Sequence, residues 1–227
     1  MSYTQAQVAK AIDHAVLKPE MTASDVRRHA AICKVRGIGA LCVRPSDVRL
    51  AAAELAGSNC QVCTVIGFPH GASRSEVKAL EAELAIADGA TELDMVMNIG
   101  RFRSGDHAAV RRDIEAVVAV ARQTGVLVKV ILETCLLTAD EIATACRLAR
   151  DGGADYVKTS TGFAGGGATP EAVAIMLDTV GKDLKVKASG GIRDWITAVA
   201  YLDQGCSRLG IGDSETVLDG GRSTANY

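Results

Sequence analysis

The stretch that decides the fold is residues 76–98, EVKALEAELAIADGATELDMVMN. Gly89 divides it, and a glycine just past a helix can adopt the left-handed conformation that ends the helix. The apolar run over residues 92–98 then predicts a buried β-strand. Apolar residues before the glycine recur at helical spacing and would form one buried helix face: Val77, Leu80, Leu84 and Ala87.

This unit of helix, glycine and strand recurs about eight times along the chain. The glycines that follow helical segments are Gly37, Gly57, Gly89, Gly125, Gly153, Gly181 and Gly205. The apolar runs lie near residues 11–17, 39–43, 61–67, 92–98, 127–133, 155–159, 184–188 and 207–211. A second buried helix face is predicted at Val110, Ile114, Val117 and Ala121.

Several helix starts can also be read from the sequence. Capping boxes are predicted at Ser73 with Glu76 and at Thr138 with Glu141. Thr169 before Pro170 gives an N-cap residue followed by a proline at the first helical position.

The apolar runs are continuous, which predicts strands buried on both faces and therefore parallel pairing with right-handed crossovers. Eight units favour a closed barrel. An open dinucleotide-binding sheet would also need G-x-G-x-x-G after its first strand, and none is present there. We predict a single α/β domain, a (β/α)8 TIM barrel over residues 1–219, followed by a flexible tail over residues 220–227.

Composition excludes several classes of protein. A net charge of -2 and a pI near 6.1 argue against a basic surface for nucleic acid. Met1–Lys10 is polar, so neither a signal peptide nor a membrane anchor is expected, and the protein should be cytoplasmic. Seven cysteines in apolar segments are typical of reduced thiols. Cys60 and Cys63 would point to opposite faces of a strand, which disfavours a metal or redox site.

Reactive side chains collect near the predicted strand ends, where the chemistry of such barrels lies. They are Asp13, Cys42, Asp94, Glu133, Lys158 and Lys187. The two lysines would be neighbours, and a buried ammonium needs a partner or a function because it loses its hydration. Asp94 could be that partner.

Imine formation requires a neutral amine, yet a lysine with a pKa of about 10.4 is neutral in only about one molecule in 2,500 at pH 7. A second ammonium roughly 6 Å away would disfavour the charged form by about 3 kcal/mol, or about two pKa units. The pair therefore predicts that one lysine is the nucleophile and that the other lowers its pKa. From spacing alone, a structural ion pair is an equally good interpretation.

Seven ordered motifs, running from the first strand to the last, together resemble the deoxyribose-phosphate aldolase family. They are Ile12-Asp13-His14, Leu41-Cys42-Val43, Ile66-Gly67-Phe68-Pro69, Glu92-Leu93-Asp94-Met95-Val96, Lys129-Val130-Ile131-Leu132-Glu133-Thr134, Val157-Lys158-Thr159-Ser160-Thr161-Gly162-Phe163 and Lys187-Ala188-Ser189-Gly190-Gly191-Ile192-Arg193. The resemblance implies a lyase that reversibly cleaves 2-deoxy-D-ribose 5-phosphate to acetaldehyde and D-glyceraldehyde 3-phosphate. It implies no metal or organic cofactor, and a homodimer as the common assembly.

The same resemblance assigns roles to individual residues. Lys158 carries the Schiff base and Lys187 lowers its pKa. Asp94 works with Lys187 and a water in proton transfer, and Asp13 supports this network. The protonated imine withdraws electrons from the breaking bond, so that the developing carbanion is held as an enamine.

Two further residues have competing interpretations. Cys42 lies close to the substrate by resemblance, but an apolar filler of the core is an equally good interpretation. Tyr227, the last residue, is implied to exchange the proton at the enamine carbon, whereas composition alone would favour a frayed terminus.

Substrate phosphate should meet backbone N–H groups at glycine-rich turns. The residues predicted to bind substrate there are Thr161, Gly162, Gly190, Gly191 and Gly210. The loop over residues 164–168 either cradles an anion or lets the chain turn. Phe163 stands where some relatives have a lysine. Asp213 stands where many have a serine, and its charge would repel phosphate.

These departures keep a second hypothesis open, an aldolase of the same mechanism that prefers non-phosphorylated aldehydes or another short sugar. A sugar-phosphate isomerase barrel is a more remote alternative, because it would not need two paired lysines. A silent binding barrel would be expected to have lost Lys158, Lys187 or Asp94, and all three are present.

Overall fold

The computed structural model describes residues 3–224 as a closed barrel of eight parallel strands in sequence order, with β1 pairing to both β2 and β8. The strands are β1 (Ile12–Val16), β2 (Ala40–Val43), β3 (Gln61–Ile66), β4 (Glu92–Val96), β5 (Leu127–Ile131), β6 (Tyr156–Lys158), β7 (Lys185–Ser189) and β8 (Arg208–Ile211). Each strand overlaps a predicted apolar run. The predicted (β/α)8 class is confirmed.

Helices surround the strands and supply the crossovers. They are α1 (Gln5–Ala11), α2 (Ala23–Arg36), α3 (Val48–Leu55), α4 (Ser75–Ala87), α5 (Ile99–Arg103), α6 (His107–Arg122), α7 (Ala139–Asp151), α8 (Pro170–Val180), α9 (Trp195–Gln204) and α10 (Ser214–Leu218). All seven glycines predicted to follow helices have positive φ, as at Gly37, which ends α2 with φ 65°.

Two of the three predicted helix starts are confirmed. Thr138 forms a capping box with Glu141, and Thr169 caps α8, which begins at Pro170. The capping box at Ser73 is wrong. α4 begins at Ser75 after Arg74, and the carboxylate of Glu76 is bound by the Arg74 guanidinium at 3.2 Å instead of reaching back to the chain.

The predicted buried face of α4 is also wrong. Val77, Leu80 and Leu84 are 53%, 54% and 59% exposed, while Lys78 and the alanines of the opposite face are buried. The physical reason is that α4 packs closely against α6 through small residues and one ion pair. By contrast, the predicted face of α6 is buried at Val110, Ile114, Val117 and Ala121.

Lys78, and not an apolar residue, lies on the buried side of α4, near the carboxyl end of β4. Its Nζ donates to the Asp113 carboxylate on α6 at 2.5 Å and to the backbone oxygen of Val96 at 2.9 Å. A buried cation is tolerated there because both partners are fixed. The pair ties the carboxyl end of β4 to two helices, and so holds the strand that carries Asp94.

The barrel interior has two chemically different halves. One half is apolar, and its residues come from β1 to β3 and the turns after them: Ala15, Leu17, Ala40, Cys42, Cys63 and Val65, with Phe68 packed against them. The other half, from β4 to β8 together with Asp13 of β1, carries the buried charges. Cys60 belongs to the outer core, so it lies on the other face from Cys63 as predicted.

The described part of the predicted tail, residues 220–224, pairs with the turn before α9. Arg222 forms an antiparallel bridge with Asp194, and the Ser223 N–H donates to the Arg193 oxygen at 2.8 Å. Tyr227 lies outside the described residues, and the boundary of the tail stays a prediction. None of the helices within residues 3–224 combines the length and the apolar character that a membrane crossing requires.

Candidate active site

Three lysines converge on one carboxylate inside the barrel. Oδ1 of Asp94 accepts a hydrogen bond from Lys129 at 2.8 Å, and Oδ2 accepts from Lys158 at 2.8 Å and from Lys187 at 2.6 Å. The Nζ atoms of Lys158 and Lys187 reach the same oxygen, so they lie no further apart than the sum of those two distances. The structure thus brings together the pair and the partner that the sequence indicated.

A second layer of charge lies beneath Asp94, toward the amino ends of the strands. Asp13 accepts from Lys187 and lies 3.3 Å from Lys129. Glu92 lies 2.6 Å from Lys129 and accepts two hydrogen bonds of 3.0 Å from Arg208, whose guanidinium also contacts Asp13. Four cations therefore share three carboxylates, and a fully ionised cluster carries one excess positive charge.

Strand register explains why these side chains meet. Asp94 is the partner of Lys129 across β4 and β5, and Lys158 is the partner of Lys187 across β6 and β7. Partners in a parallel pair point to the same face, and this face is the barrel interior. Lys129 and Arg208 were not among the predicted site residues. A lysine or arginine inside an otherwise apolar strand was the signal that could have found them.

The charge states of most of this cluster are fixed. Burial alone would lower the pKa of Lys187, but the carboxylates of Asp13 and Asp94 outweigh it and hold that pKa above its ordinary value. The same balance holds the pKa of Lys129 well above its usual range. Burial would raise the pKa of Asp94, yet Lys129, Lys158 and Lys187 hold it well below its usual range. In the resting site, Lys158 thus has a cation and a carboxylate beside it.

The two inward thiols face each other across β2 and β3, where Cys42 and Cys63 are register partners. Cys63 packs in the apolar half of the barrel, and its Sγ also lies 3.3 Å from Asp94 Oδ1 and 3.4 Å from Lys129 Nζ. Cys135, on the turn after β5, is exposed. Cys42 is buried in the apolar half of the barrel, beside the charged cluster.

These thiols and carboxylates form two groups close enough to ligate a metal ion, Cys42 with Cys63 and Asp94, and Cys63 with Asp13 and Glu92. The carboxylates of both groups already contact lysine ammonium groups. A cation would therefore have to displace a lysine, and the residues present do not favour a metal here.

Glu133 and Thr161 form a second polar contact at the mouth of the barrel. Glu133 adopts a left-handed conformation with φ 59°. Its carboxylate accepts from the Thr161 N–H at 3.2 Å and from the Thr161 hydroxyl. Burial raises the pKa of Glu133, against the opposing bonds from Thr161. Together with His70 and Phe163, these residues line an opening, and Phe163 packs edge-on to Phe68 at 5.1 Å.

His14 lies on the outer side of β1, away from this chemistry. Its ring bonds Ser214 at 2.7 Å and His29 at 2.6 Å. Burial and the neighbouring His29 lower the pKa of His14 to about 3, so its ring is neutral at neutral pH. These contacts give His14 a structural role.

A glycine-rich cleft lies beside the lysines, between the turns that follow β6 and β7. Its lining residues are Gly162, Gly165, Gly166, Gly167, Gly190, Gly191, Arg193, Asp194, Thr197 and Arg222. Three of the four glycines predicted to bind substrate are therefore together. Gly210 lies apart from them, within β8, where a Cβ would approach the Ser189 hydroxyl oxygen to 2.2 Å.

Asp213, which was expected to repel a bound phosphate, caps α10 instead. Its carboxylate accepts from the Thr216 N–H at 3.3 Å. Burial would raise the pKa of Asp213, but bonds from Ser223 and Thr216 hold it below the ordinary value. The residues that line the glycine-rich cleft do not include Asp213, and two arginines, Arg193 and Arg222, are among them.

Comparison with known proteins shows which proteins this chain resembles. A family model described as DeoC/LacD family aldolase matches residues 7–204. The deoxyribose-phosphate aldolase of Clostridium perfringens is 48% identical over 97% of this chain and 98% of the relative. That of Brevibacillus brevis is 49% identical over 96% and 97%, respectively. A deoxyribose phosphate aldolase from Aeropyrum pernix, described as having a unique tetrameric structure, superposes with a TM-score of 0.89 at 33% identity, covering 95% of this chain and 91% of that one.

The fixed cation at Lys187 leads to a first prediction. Replacing Lys187 with leucine removes a positive charge next to Lys158, so the pH at which imine formation becomes fast should rise by about two units. Turnover at pH 7 should then fall at least about a hundredfold. The measurement is the pH profile of kcat/KM. Lys185→Leu, an exposed site on the same strand, is the matched control. An unchanged profile in Lys187→Leu would show that burial alone activates the amine.

Proposed function

The chain belongs to the DeoC/LacD family of aldolases, and we propose that Lys158 forms the Schiff base through which it acts. The reaction is that of a class I aldolase, the reversible cleavage of 2-deoxy-D-ribose 5-phosphate to acetaldehyde and D-glyceraldehyde 3-phosphate. The observation that carries the residue assignment is the contact of Lys158 and Lys187 with one oxygen of Asp94.

In the proposed mechanism, neutral Nζ of Lys158 attacks C1 of the open-chain sugar, and the carbinolamine loses water to give a protonated imine. The C2–C3 bond then breaks as its electron pair moves toward the imine nitrogen, and the C3 hydroxyl loses its proton to become the aldehyde of glyceraldehyde phosphate. The enamine that remains is protonated at carbon and hydrolysed, which releases acetaldehyde and restores the amine.

The charge of each side chain in the resting site determines whether it donates or accepts a proton. Asp94 is held as a carboxylate by three lysines, so it accepts or aligns protons and is not the resting donor. The ammonium of Lys187 supplies the proton with which water leaves the carbinolamine, through Asp94 or a water. Asp13 keeps Lys187 charged between cycles. We assign the proton exchange at the enamine carbon to Tyr227, on the family resemblance alone.

The glycine-rich cleft is the proposed phosphate site. Backbone N–H groups at the turns around Gly162, Gly190 and Gly191 suit a phosphate, and Arg193 and Arg222 add positive charge. Because Asp213 is turned to α10, the main argument for a non-phosphorylated substrate is weakened. Thr161 bonds Glu133, so we propose that it shapes the mouth of the pocket beside the substrate. Cys42 is proposed to contact the substrate from the apolar half.

We propose that the protein acts in the cytoplasm, in the catabolism of nucleotides and carbohydrates. The substrate is a breakdown product of deoxynucleosides, which supports this setting. The thiols support it as well, because all seven cysteines are free and several are deeply buried.

The assignment of Lys158 is tested by reduction with borohydride in the presence of acetaldehyde. We expect an ethyl adduct on Lys158, located by peptide mass spectrometry. Only a neutral amine forms the imine, and of the three lysines beside Asp94 both Lys129 and Lys187 are held as cations. Lys158→Met should lose both the adduct and the cleavage of deoxyribose 5-phosphate. An adduct confined to Lys129 or Lys187, or activity retained in Lys158→Met, would contradict the assignment.

The phosphate site is tested at Arg222. Arg222→Gln removes one charged hydrogen-bond donor from the cleft, which should lower kcat/KM for deoxyribose 5-phosphate about tenfold. The kcat/KM for deoxyribose should stay unchanged, because this sugar has no phosphate for the Arg222 guanidinium to bind. Arg111→Gln, at an exposed site on α6, is the matched control. Equal losses on both sugars would mean that Arg222 stabilises the tail and does not bind the phosphate.

The exposed face of α4 supports a homodimer. Val77, Leu80 and Leu84 lie on one side of this helix, each more than half exposed, and a second copy could cover them through a two-fold contact. We expect Leu80→Glu to convert a dimer to a monomer in sedimentation velocity. Val35→Glu on α2, where an isolated valine is 83% exposed, should leave the dimer intact. A monomeric wild type, or a dimeric Leu80→Glu variant, would refute this interface.

A further inference from the structure

Two hydroxyl groups inside the barrel have no hydrogen-bond partner within residues 3–224. They are the Oγ atoms of Ser160 and Ser189, and both residues are 0% exposed. A buried hydroxyl without a partner costs about 1–3 kcal/mol, and most buried polar groups in folded proteins have one. The mechanism proposed above uses neither serine.

Both serines face the substrate side of the reactive lysines. Ser189 follows Lys187 by two residues within β7, so its side chain points to the same face as that lysine, and a rise of about 3.3 Å per residue places it roughly 6.6 Å nearer the carboxyl end of the barrel. Ser160 lies two residues beyond Lys158, just after β6 ends, and a Cβ at Gly190, the residue after Ser189, would lie 3.6 Å from the Ser160 Cβ. Their layer lies between the lysine ammonium groups and the end at which a substrate enters.

Ser189 is held in place by its neighbours. Its N–H donates to the Thr159 hydroxyl oxygen at 2.9 Å, and its own carbonyl oxygen accepts from that hydroxyl at 2.9 Å and from the Ala168 N–H at 3.1 Å. Gly210, its register partner on β8, provides room for the side chain, because any Cβ there would collide with Ser189 Oγ. The backbone is thus fixed and a space is kept for this one hydroxyl.

The wall that faces the serines has the opposite character. Across the barrel, β1 to β3 and the turn after β3 present an apolar surface built from Ala15, Leu17, Cys42, Val65 and Phe68. A small aldehyde bound between the two walls would therefore turn its hydroxyl groups toward β6 and β7 and its carbon chain toward β1 to β3.

We propose that Ser160 and Ser189 bind the hydroxyl on the carbon next to the aldehyde carbon of the acceptor, and so select α-hydroxyaldehydes over plain alkanals. This inference rests on the proposed function. In the imine of the five-carbon sugar, that hydroxyl is on C4, three carbon–carbon bonds from the carbon attached to Lys158, and a chain that extends toward the carboxyl end of the barrel carries it toward the serines. One serine donates to the hydroxyl while the other accepts from it.

The test compares two acceptors of equal size, glycolaldehyde and propanal, which differ in a hydroxyl and a methyl group. Acetaldehyde is the donor, and the products are separated by chromatography. We expect Ser160→Ala and Ser189→Ala each to lower the ratio of kcat/KM for glycolaldehyde to that for propanal about tenfold. The lower ratio should come from a lower kcat/KM for glycolaldehyde. Gly210→Ala, which displaces the Ser189 hydroxyl, should act in the same direction.

Thr64→Val is the matched control, because it removes a buried hydroxyl from the outer face of β3, where Thr64 bonds the Val43 oxygen at 2.8 Å. Its ratio should equal that of the wild type. A ratio that does not move in the serine variants would overturn the proposal. Equal losses on both acceptors would overturn it too, since the hydroxyls would then serve the reacting carbonyl oxygen. Borohydride trapping at Lys158 is measured in parallel, so a failure of the Schiff-base assignment is seen separately.

Discussion

The carboxylate of Asp94 is the interaction on which the rest of the site depends. Three lysine side chains fill the barrel interior around it, and without this shared anion their ammonium groups would be buried side by side with far less compensation. Lys129 contacts three carboxylates and Lys187 contacts two, so both are held as cations. The cluster has one cation more than it has anions. Loss of one proton neutralises it, and imine chemistry needs that loss at Lys158.

The two sides of the barrel interior differ in character. The strands β4 to β8, together with Asp13 of β1, bring the charges together, while the other inward residues of β1 to β3 line the opposite wall with apolar groups. This division places a low-dielectric surface next to a fixed set of charges, and electrostatic effects are larger in such a setting than in water. It also gives the pocket one polar side and one apolar side. A bound sugar meets polar groups on one side only, and Phe68 and Phe163 meet at the mouth.

Much of the fold could be predicted because its signals are local. Strand positions follow from apolar runs, and seven turns follow from glycines that adopt positive φ. The prediction failed at α4, because periodicity shows that a helix has an apolar face but not what covers that face. Leu80 and Leu84 point outward while Lys78 is buried. Which side is buried depends on α6 and on its Asp113, and those contacts are far apart in sequence.

The site could be predicted only in part, for a related reason. Lys158, Lys187 and Asp94 could be identified from the sequence, but register decides which other charged residues join them, and Lys129 joins through its pairing with Asp94. The serine pair could not be found from composition, since an unpartnered hydroxyl is a property of packing and not of sequence. Natural folds satisfy nearly all buried polar groups, so each exception calls for a physical explanation. The excess charge around Asp94 and the two open hydroxyls lie in adjacent layers of one barrel. Each is a local cost to stability. Loss of a proton from Lys158 removes the first, and the proposed contact with the acceptor hydroxyl removes the second.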